Sequence, residues 1–346
     1  MKSIVSLTFA LLLVTSTLVS SAKADYTKNI NKAWPKSAVS ALKVTNKFGD
    51  IKINDLGGDS VTIKVTITVE NPSESDAKDL IRKINVDFNK SGGLVSAETI
   101  IEDNFKSRQK FTINYQVNIP KNKDLDISNK YGSVVIQDLE AKGTFNVSYG
   151  SMTAGNIKVP SGSPAEINVS YGGADIESIN EATVILKYAK LNGGNFGQLN
   201  LDSKYTPGIN LHKVNNLHLE SKYDNIGIDE IGNLTSESKY SSFKIGLIHE
   251  TFDLNTGYGS VRIEEVDPKF KTIKIENSYG GINIGLNNAS YEINAECSYC
   301  DVDYPQDRFK GNKVRDNQNF SLNGHIGVGG GTITINSRYG GVKLSD

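Results

Sequence analysis

The residues best suited to chemistry are two cysteines three apart, Cys297-Ser298-Tyr299-Cys300. A C-x-x-C pair can exchange disulfides or supply half of a zinc site, because a thiolate is both nucleophile and soft ligand. Zinc needs further ligands, and no histidine stands near the pair in sequence. The four histidines, His212, His218, His249 and His325, are scattered with no Ser or Cys at a matching position, so no nucleophile–base pair is legible. Asp301, Asp303 and Asp307 offer the oxygen ligands calcium prefers, but without the Gly-rich nonapeptide of calcium-binding solenoids. Gly327 to Gly331 has the composition of a phosphate-binding loop. It lacks the Lys-Ser/Thr ending and any following helix, and reads as a turn. These residues name no catalytic centre, no metal site and no cofactor.

The strongest pattern is instead aromatic. Phe48, Tyr131, Tyr149, Tyr171, Tyr188, Tyr205, Tyr223, Tyr240, Tyr258, Tyr279, Tyr299 and Tyr339 mark successive copies of one unit. From Tyr131 to Tyr299 they recur at a nearly fixed period of about 20 residues, the mark of repeats that stack on their neighbours. Counting back from a marker in twos gives Leu217, Leu219, Ser221, Tyr223 or Ile273, Ile275, Asn277, Tyr279, with polar residues between. Such alternation is a strand with one buried face. Past the marker come a short turn and a second apolar pair, Ile226/Ile228 or Val261/Ile263, often followed by a third apolar residue such as Ile231 or Val266. Two short strands and a corner cannot bury their own apolar face. Units of this kind must stack in parallel, about 4.8 Å apart.

The expected fold is therefore all-β: a parallel, right-handed β-helix or solenoid of about 17–22 residues per coil, with an N-terminal β-rich cap containing one short helix. The markers share the parity of the buried residues, which predicts an inward tyrosine ladder whose hydroxyls meet the Ser or Asn two residues earlier; an exposed sugar platform is the alternative. Cys297 holds the inward position two before its marker and Cys300 the turn position one after it, so both read as structural. A disulfide is permitted after export, although positions three apart start on opposite faces of an extended strand. Lys187, Lys204, Lys222 and Lys239 align one residue before their markers, beside Asp202, Glu220 and Glu237, as a solvated face of weak ion pairs.

The rest of the chain is placed around this repeat. Residues 1–24 read as a secretory signal peptide: a basic start, the apolar run Ile4 to Val19, and Ala22-Lys23-Ala24 for cleavage. Removing Lys2 and Lys23 moves the net charge from −1 to −3, with both signs interspersed, which argues against a nucleic-acid partner. No transmembrane segment is expected in the mature chain. Residues 25–40 are a polar leader expected to pack on the first coil. Residues 41–120 hold a first coil, Leu42 to Ile53, and the cap, whose helix starts at Ser73. Residues 121–346 are the solenoid, with a charged loop at 305–318 in one degenerate coil before the last copy, Ile333 to Leu344.

The Asn-Lys-Phe-Gly-Asp-Ile-Lys-Ile opening at 46–53, the Tyr-Gln-Val-Asn-Ile-Pro passage at 115–120 and the Ser-Lys-Tyr and Ser-Tyr-Gly units resemble the exported "putative adhesin" β-strand-repeat domains of Gram-negative bacteria. The resemblance covers nearly the whole mature chain. It implies a β-helix and supplies no catalytic residues. The turns are short nearly everywhere, and a catalytic cleft needs loops for walls. The expected function is a non-enzymatic adhesin or cell-envelope interaction protein, exported to the periplasm, the outer membrane or the medium. Its expected partner is a glycan, an envelope polymer or a surface protein. The alternative is a β-helix that binds or cleaves polysaccharide.

Overall fold

The computed structural model describes residues 24–346 apart from 57, 72 and 104. The signal-peptide reading thus lies outside the described residues, save for its last position. The described chain is nearly all strand, with one α-helix, Glu74–Arg82, and one short 3₁₀ turn, Lys36–Ala38. Among the described residues no helix is long and apolar enough to cross a membrane.

Each coil follows from the alternation. In the Tyr223 coil, Leu217, Leu219 and Ser221 point inward before the corner, and Ile226, Ile228 and Ile231 after it, all at 6% exposure or less. The neighbouring coils repeat the set in register: Leu217 pairs with Leu199 and Leu234, and Ile226 with Ile209 and Phe243. Equivalent strands are parallel throughout this stretch. The inward residues of all coils form one continuous apolar core.

At both ends the order of coils in space departs from the order in sequence. The Phe48 coil (strands Ala41–Lys47 and Ile51–Asn54) lies between the Tyr131 coil and two later strands, Leu94–Ile101 and Phe111–Asn118. Those two strands stack parallel on the Phe48 coil, so much of the expected cap is a further coil. Antiparallel strands then close the end: Ile84–Ser91 against Leu94–Ile101, and Ser60–Asn71 against Phe111–Asn118. The leader does not pack on the first coil as expected. Ala24–Pro35 instead pairs antiparallel with Ser60–Asn71 over its whole length, because that long alternating strand offers an unpaired edge. The helix starts where expected, with the Ser73 hydroxyl accepting from the Asp76 amide, and it buries Ala77 and Ile81.

The C-terminal end repeats this arrangement and corrects the expectation of a degenerate coil. Residues 305–318, expected as a loop, contain the first strand of a β-hairpin, Phe309–Asp316 with Asn319–Ile326, whose second strand lies antiparallel on Tyr291–Ser298. The last coil, Gly331–Arg338 and Val342–Ser345, is inserted between the Tyr279 coil and the Tyr299 coil. The Tyr299 coil thus reaches the rest of the rod through the C-terminal segment 331–346. The outermost strands at both ends carry exposed cations, Lys32 and Lys90 at one and Lys310, Lys313 and Arg315 at the other. Charges of this kind keep sheet edges from recruiting further chains.

Candidate binding surfaces, an aromatic ribbon and an axial groove

The aromatic markers do not point inward. Tyr131 to Tyr339 are 42–51% exposed, as half-covered surface residues. The reason lies in the backbone. Nine of the tyrosines, and Phe48, adopt left-handed φ values of +53° to +64°. One left-handed residue between two strands bends the chain through a corner and breaks the alternation, so the marker turns outward although its sequence parity is that of the core. At Tyr258 and Tyr279 the positive φ passes to the following residues, Gly259 and Gly280. A left-handed conformation costs a residue other than Gly roughly 1–2 kcal/mol. Stacking of about 0.5–1.5 kcal/mol per aromatic pair offsets it.

The stack is continuous. From Phe48 to Tyr279, then through Tyr339 to Tyr299, neighbouring ring centroids are 4.6–5.1 Å apart and the planes lie within 26° of parallel. Phe111 and Phe105 close it at the N-terminal end with tilted and edge-on contacts. Inside the stack both faces of each ring lie against neighbouring rings, so the surface shows ring edges and hydroxyls. A sugar platform needs free faces; here they are covered by other rings. Lys130, Lys222 and Arg338 lay their cations 4.9–5.5 Å from the centroids of the rings that follow them.

Inside several corners, the residue two before the marker is tied to the residue one after it. The Asn46 and Asn277 amides and the Ser337 hydroxyl donate to the carbonyls of Gly49, Gly280 and Gly340. The Ser221 hydroxyl donates at 2.9 Å to Asp224, which also accepts from the Ser203 hydroxyl and from the amides of Thr206 and Lys222. Asp224 is 2% exposed, and its carboxylate is held by these four donors. At these corners the two-before side chain meets corner backbone or Asp224, and not the tyrosine hydroxyl as expected; the Ser238 and Thr256 hydroxyls, at the same place, have no hydrogen-bond partner among the described residues. Cys297 and Cys300 hold the same two places and are joined as a disulfide, with Cα atoms 5.3 Å apart. The opposite-face objection fails because left-handed Tyr299 lies between them.

The remaining candidates are dispersed. His212 contacts Asp229 at 3.0 Å, and His249 contacts Glu230 at 3.2 Å. Lys213 holds the Glu230 carboxyl below the usual carboxylate range through a hydrogen bond, with His249 adding to it. Asp301 is engaged by Arg315. Among the described residues no group of three His, Cys, Asp or Glu side chains is placed to hold a metal ion. Gly327, Gly329 and Gly330 carry positive φ in the turn that leads into the last coil. The lysine and acid columns align as expected, with Lys204, Lys222 and Lys239 in register beside Asp202, Glu220 and Glu237.

One concave surface was not anticipated. Past the corner, the outward residues of several coils line a groove of about 800 Å³ running along the rod. Asp175, Asn192 and Asn210 form one side as a ladder: the Asn192 amide donates to Asp175 at 2.7 Å, and the Asn210 amide donates to Asn192 at 3.1 Å. Glycines lie along the floor, at Gly155, Gly194, Gly227 and Gly246. The signal was present in sequence, since Asp175, Asn192 and Gly227 all stand four positions after their markers.

A comparison with curated proteins finds no match. Among solved structures, the chain is similar to a "putative adhesin" from Parabacteroides distasonis ATCC 8503, at 12% identity and a TM-score of 0.30, covering 92% of this chain and 97% of that one. It is similar to a "putative adhesin" from Bacteroides fragilis NCTC 9343, at 8% identity and a TM-score of 0.27, with coverage of 92% and 97%. A "putative lipid binding protein" from Parabacteroides distasonis ATCC 8503 matches at 11% identity and a TM-score of 0.28, with coverage of 93% and 97%. At such identities and scores no residue or ligand of those proteins carries over. The family model described as Toastrack DUF4097 matches residues 34–345, and the chain belongs to that family.

Proposed function

We propose that this chain is an exported, non-enzymatic β-solenoid that works as an adhesin-like or cell-envelope interaction protein, binding along its side. The observation that carries the reading is the ribbon of eleven tyrosines, each 42–51% exposed, which runs unbroken over the corners of successive coils. A contiguous exposed aromatic surface of this extent marks an interaction site. Its repeat suits a partner that is itself extended, such as an envelope polymer or a strand-rich surface protein. Export is supported by the signal-peptide pattern of residues 1–24 and by a disulfide, which persists in oxidising compartments. Polysaccharide binding is a second reading, favoured by the groove beside the ribbon.

The test is binding of labelled mature protein to isolated cell envelopes, compared with a variant carrying Tyr188→Ser, Tyr205→Ser and Tyr223→Ser. Saturable binding that falls at least tenfold in the variant is the expected result. Equal binding by the two proteins, or none by either, would remove the ribbon from any binding role.

A further inference from the structure

We infer that the groove beside the ribbon is a site for an uncharged, linear β-linked polysaccharide lying parallel to the rod axis. The inference deepens the envelope-binding reading and rests on it.

Shape is the first ground. At about 800 Å³ the groove has the volume of a ligand site, and its lining runs from Thr153 to Glu264 across successive coils. An extended polymer fits it lengthwise, whereas a compact small molecule would fill only part of it.

The floor supplies the second. Gly155, Gly194 and Gly246 have a reason in the fold, since a Cβ at each would collide with a backbone carbonyl oxygen of the neighbouring coil, that of Gln137, Glu177 or Asp229. Gly227 has no such reason. A Cβ there would meet the Asn210 amide oxygen at 3.4 Å and the Ile209 carbonyl oxygen at 3.7 Å, and its φ is not in the left-handed region. Packing permits a side chain at Gly227, and glycine inside a strand weakens it and often marks where a ligand or backbone approaches closely. What the glycine does here is keep the groove open in the middle and end the amide ladder at Asn210.

Chemistry is the third ground. Asp175, Asn192 and Asn210 present amide and carboxylate groups once per coil, at the strand spacing of about 4.8 Å. An extended β-1,4-linked sugar chain is a ribbon in which alternate units are turned over, so its like hydroxyls recur at every second unit and can meet equivalent partners at every second coil. Around this ladder the lining carries the carboxylates Asp175, Glu177, Asp229 and Glu264 against Lys244 and His212. That balance disfavours an anionic polymer, which would set like charges together. The tyrosine ribbon cannot supply the same function, because its ring faces are already stacked.

The experiment is calorimetric titration of the mature protein with cello- and chito-oligosaccharides of two to eight units, with oligogalacturonate as an anionic comparator. Three variants accompany the wild type: Gly227→Leu to fill the groove, Asn192→Ala/Asn210→Ala to remove the ladder, and the ribbon triple variant. Thermal melts confirm that each is folded. Affinity should rise with chain length for a neutral series and fall at least tenfold in both groove variants. Oligogalacturonate should give no response, and the ribbon variant should keep wild-type affinity. Binding that survives Gly227→Leu and Asn192→Ala/Asn210→Ala, or a preference for the anionic chain, overturns the inference. Envelope binding without any neutral oligosaccharide binding overturns it as well and leaves the ribbon reading standing, whereas absence of both removes the two together.

Discussion

Cys297 and Cys300 occupy, in one coil, the two corner positions that Ser337 and Gly340 hold in the coil stacked against it, and a disulfide replaces the hydrogen bond. Cys297 is in register with Ser337. The Ser337 hydroxyl donates to the Gly340 carbonyl at 2.6 Å, whereas the cysteines are covalently joined. The C-x-x-C is thus one solution among several to a single problem, fastening the inside of a left-handed corner.

The replacement should be nearly interchangeable. Converting the pair to Cys297→Ser/Cys300→Gly reproduces the neighbouring corner. A disulfide closing so short a loop stabilises by at most about 2 kcal/mol in the chain-entropy picture. A hydrogen bond contributes about 1 kcal/mol in its place. Denaturant unfolding is expected to show a net loss of about 1 kcal/mol with an unchanged m-value. A collapse of the fold would show that the disulfide carries a load the corner geometry does not reveal.

The left-handed tyrosines predict an unusual order of substitution. At Tyr223, φ is +62° and the ring stacks on Tyr205 at 5.1 Å and on Tyr240 at 4.7 Å. Removing the ring costs the two stacking contacts whatever replaces it, about 1–3 kcal/mol. Alanine keeps the strained φ, and glycine relieves it by roughly 1 kcal/mol. Tyr223→Gly should therefore be more stable than Tyr223→Ala, the reverse of the usual order inside a strand. Paired melting curves decide it.

Insertion of the last coil makes the C-terminal residues structural for a segment that precedes them in sequence. Deleting 331–346 removes the strands on which Tyr291–Ser298 and Val302–Asp303 are paired in parallel. Hydrogen exchange should show protection lost across 291–303 and the hairpin 309–326, with the Tyr258 coil unaffected. Persistent protection at 291–303 would mean that the Tyr299 coil can dock directly on the Tyr279 coil.

Two buried phenols carry a pH dependence. Burial pushes the Tyr115 hydroxyl up to about 12, partly opposed by its hydrogen bond with Thr99, and burial raises Tyr291 as well. For each, the folded state holds its proton more tightly than the unfolded chain, whose phenol titrates near 10. The stabilisation is therefore complete below about pH 10 and is lost as pH rises from there through the folded value. Tyr115→Phe and Tyr291→Phe together should flatten the fall in stability between about pH 10 and 12. Among the described residues the Tyr291 hydroxyl has no hydrogen-bond partner, so Tyr291→Phe alone should stabilise at neutral pH by about 1–3 kcal/mol. A loss at neutral pH would show that the hydroxyl is satisfied.

Much of the fold was legible because alternation and period are local properties. Leu217, Leu219, Ile226 and Ile228 announce two strands and a corner, and repetition of that set dictates parallel stacking. Parity misleads at Tyr223 and at Cys297/Cys300 for one reason. Side-chain period is two only while the backbone stays extended, and a left-handed residue resets it. An aromatic residue hides that conformation, since left-handed corners normally announce themselves as Gly, Asn or Asp. Insertion of the Tyr339 coil between the Tyr279 and Tyr299 coils was not legible either. All three carry the same repeat, and repeats of equal sequence do not say in which order they stack. The groove was hidden because Asp175, Asn192, Asn210 and Gly227 have a place in the coil in common and not a single residue type.

The most direct test of export, on which the role of the ribbon depends, is where the mature protein resides in the cell. Proteinase added to intact producing cells, to cells with a permeabilised outer membrane and to fully lysed cells reports its location against a cytoplasmic control protein. The expected result is cleavage of this chain before the control becomes accessible, together with loss of residues 1–24 from the mature N-terminus. Co-release with the cytoplasmic control, with the N-terminus intact, would contradict export and with it the role assigned to the ribbon.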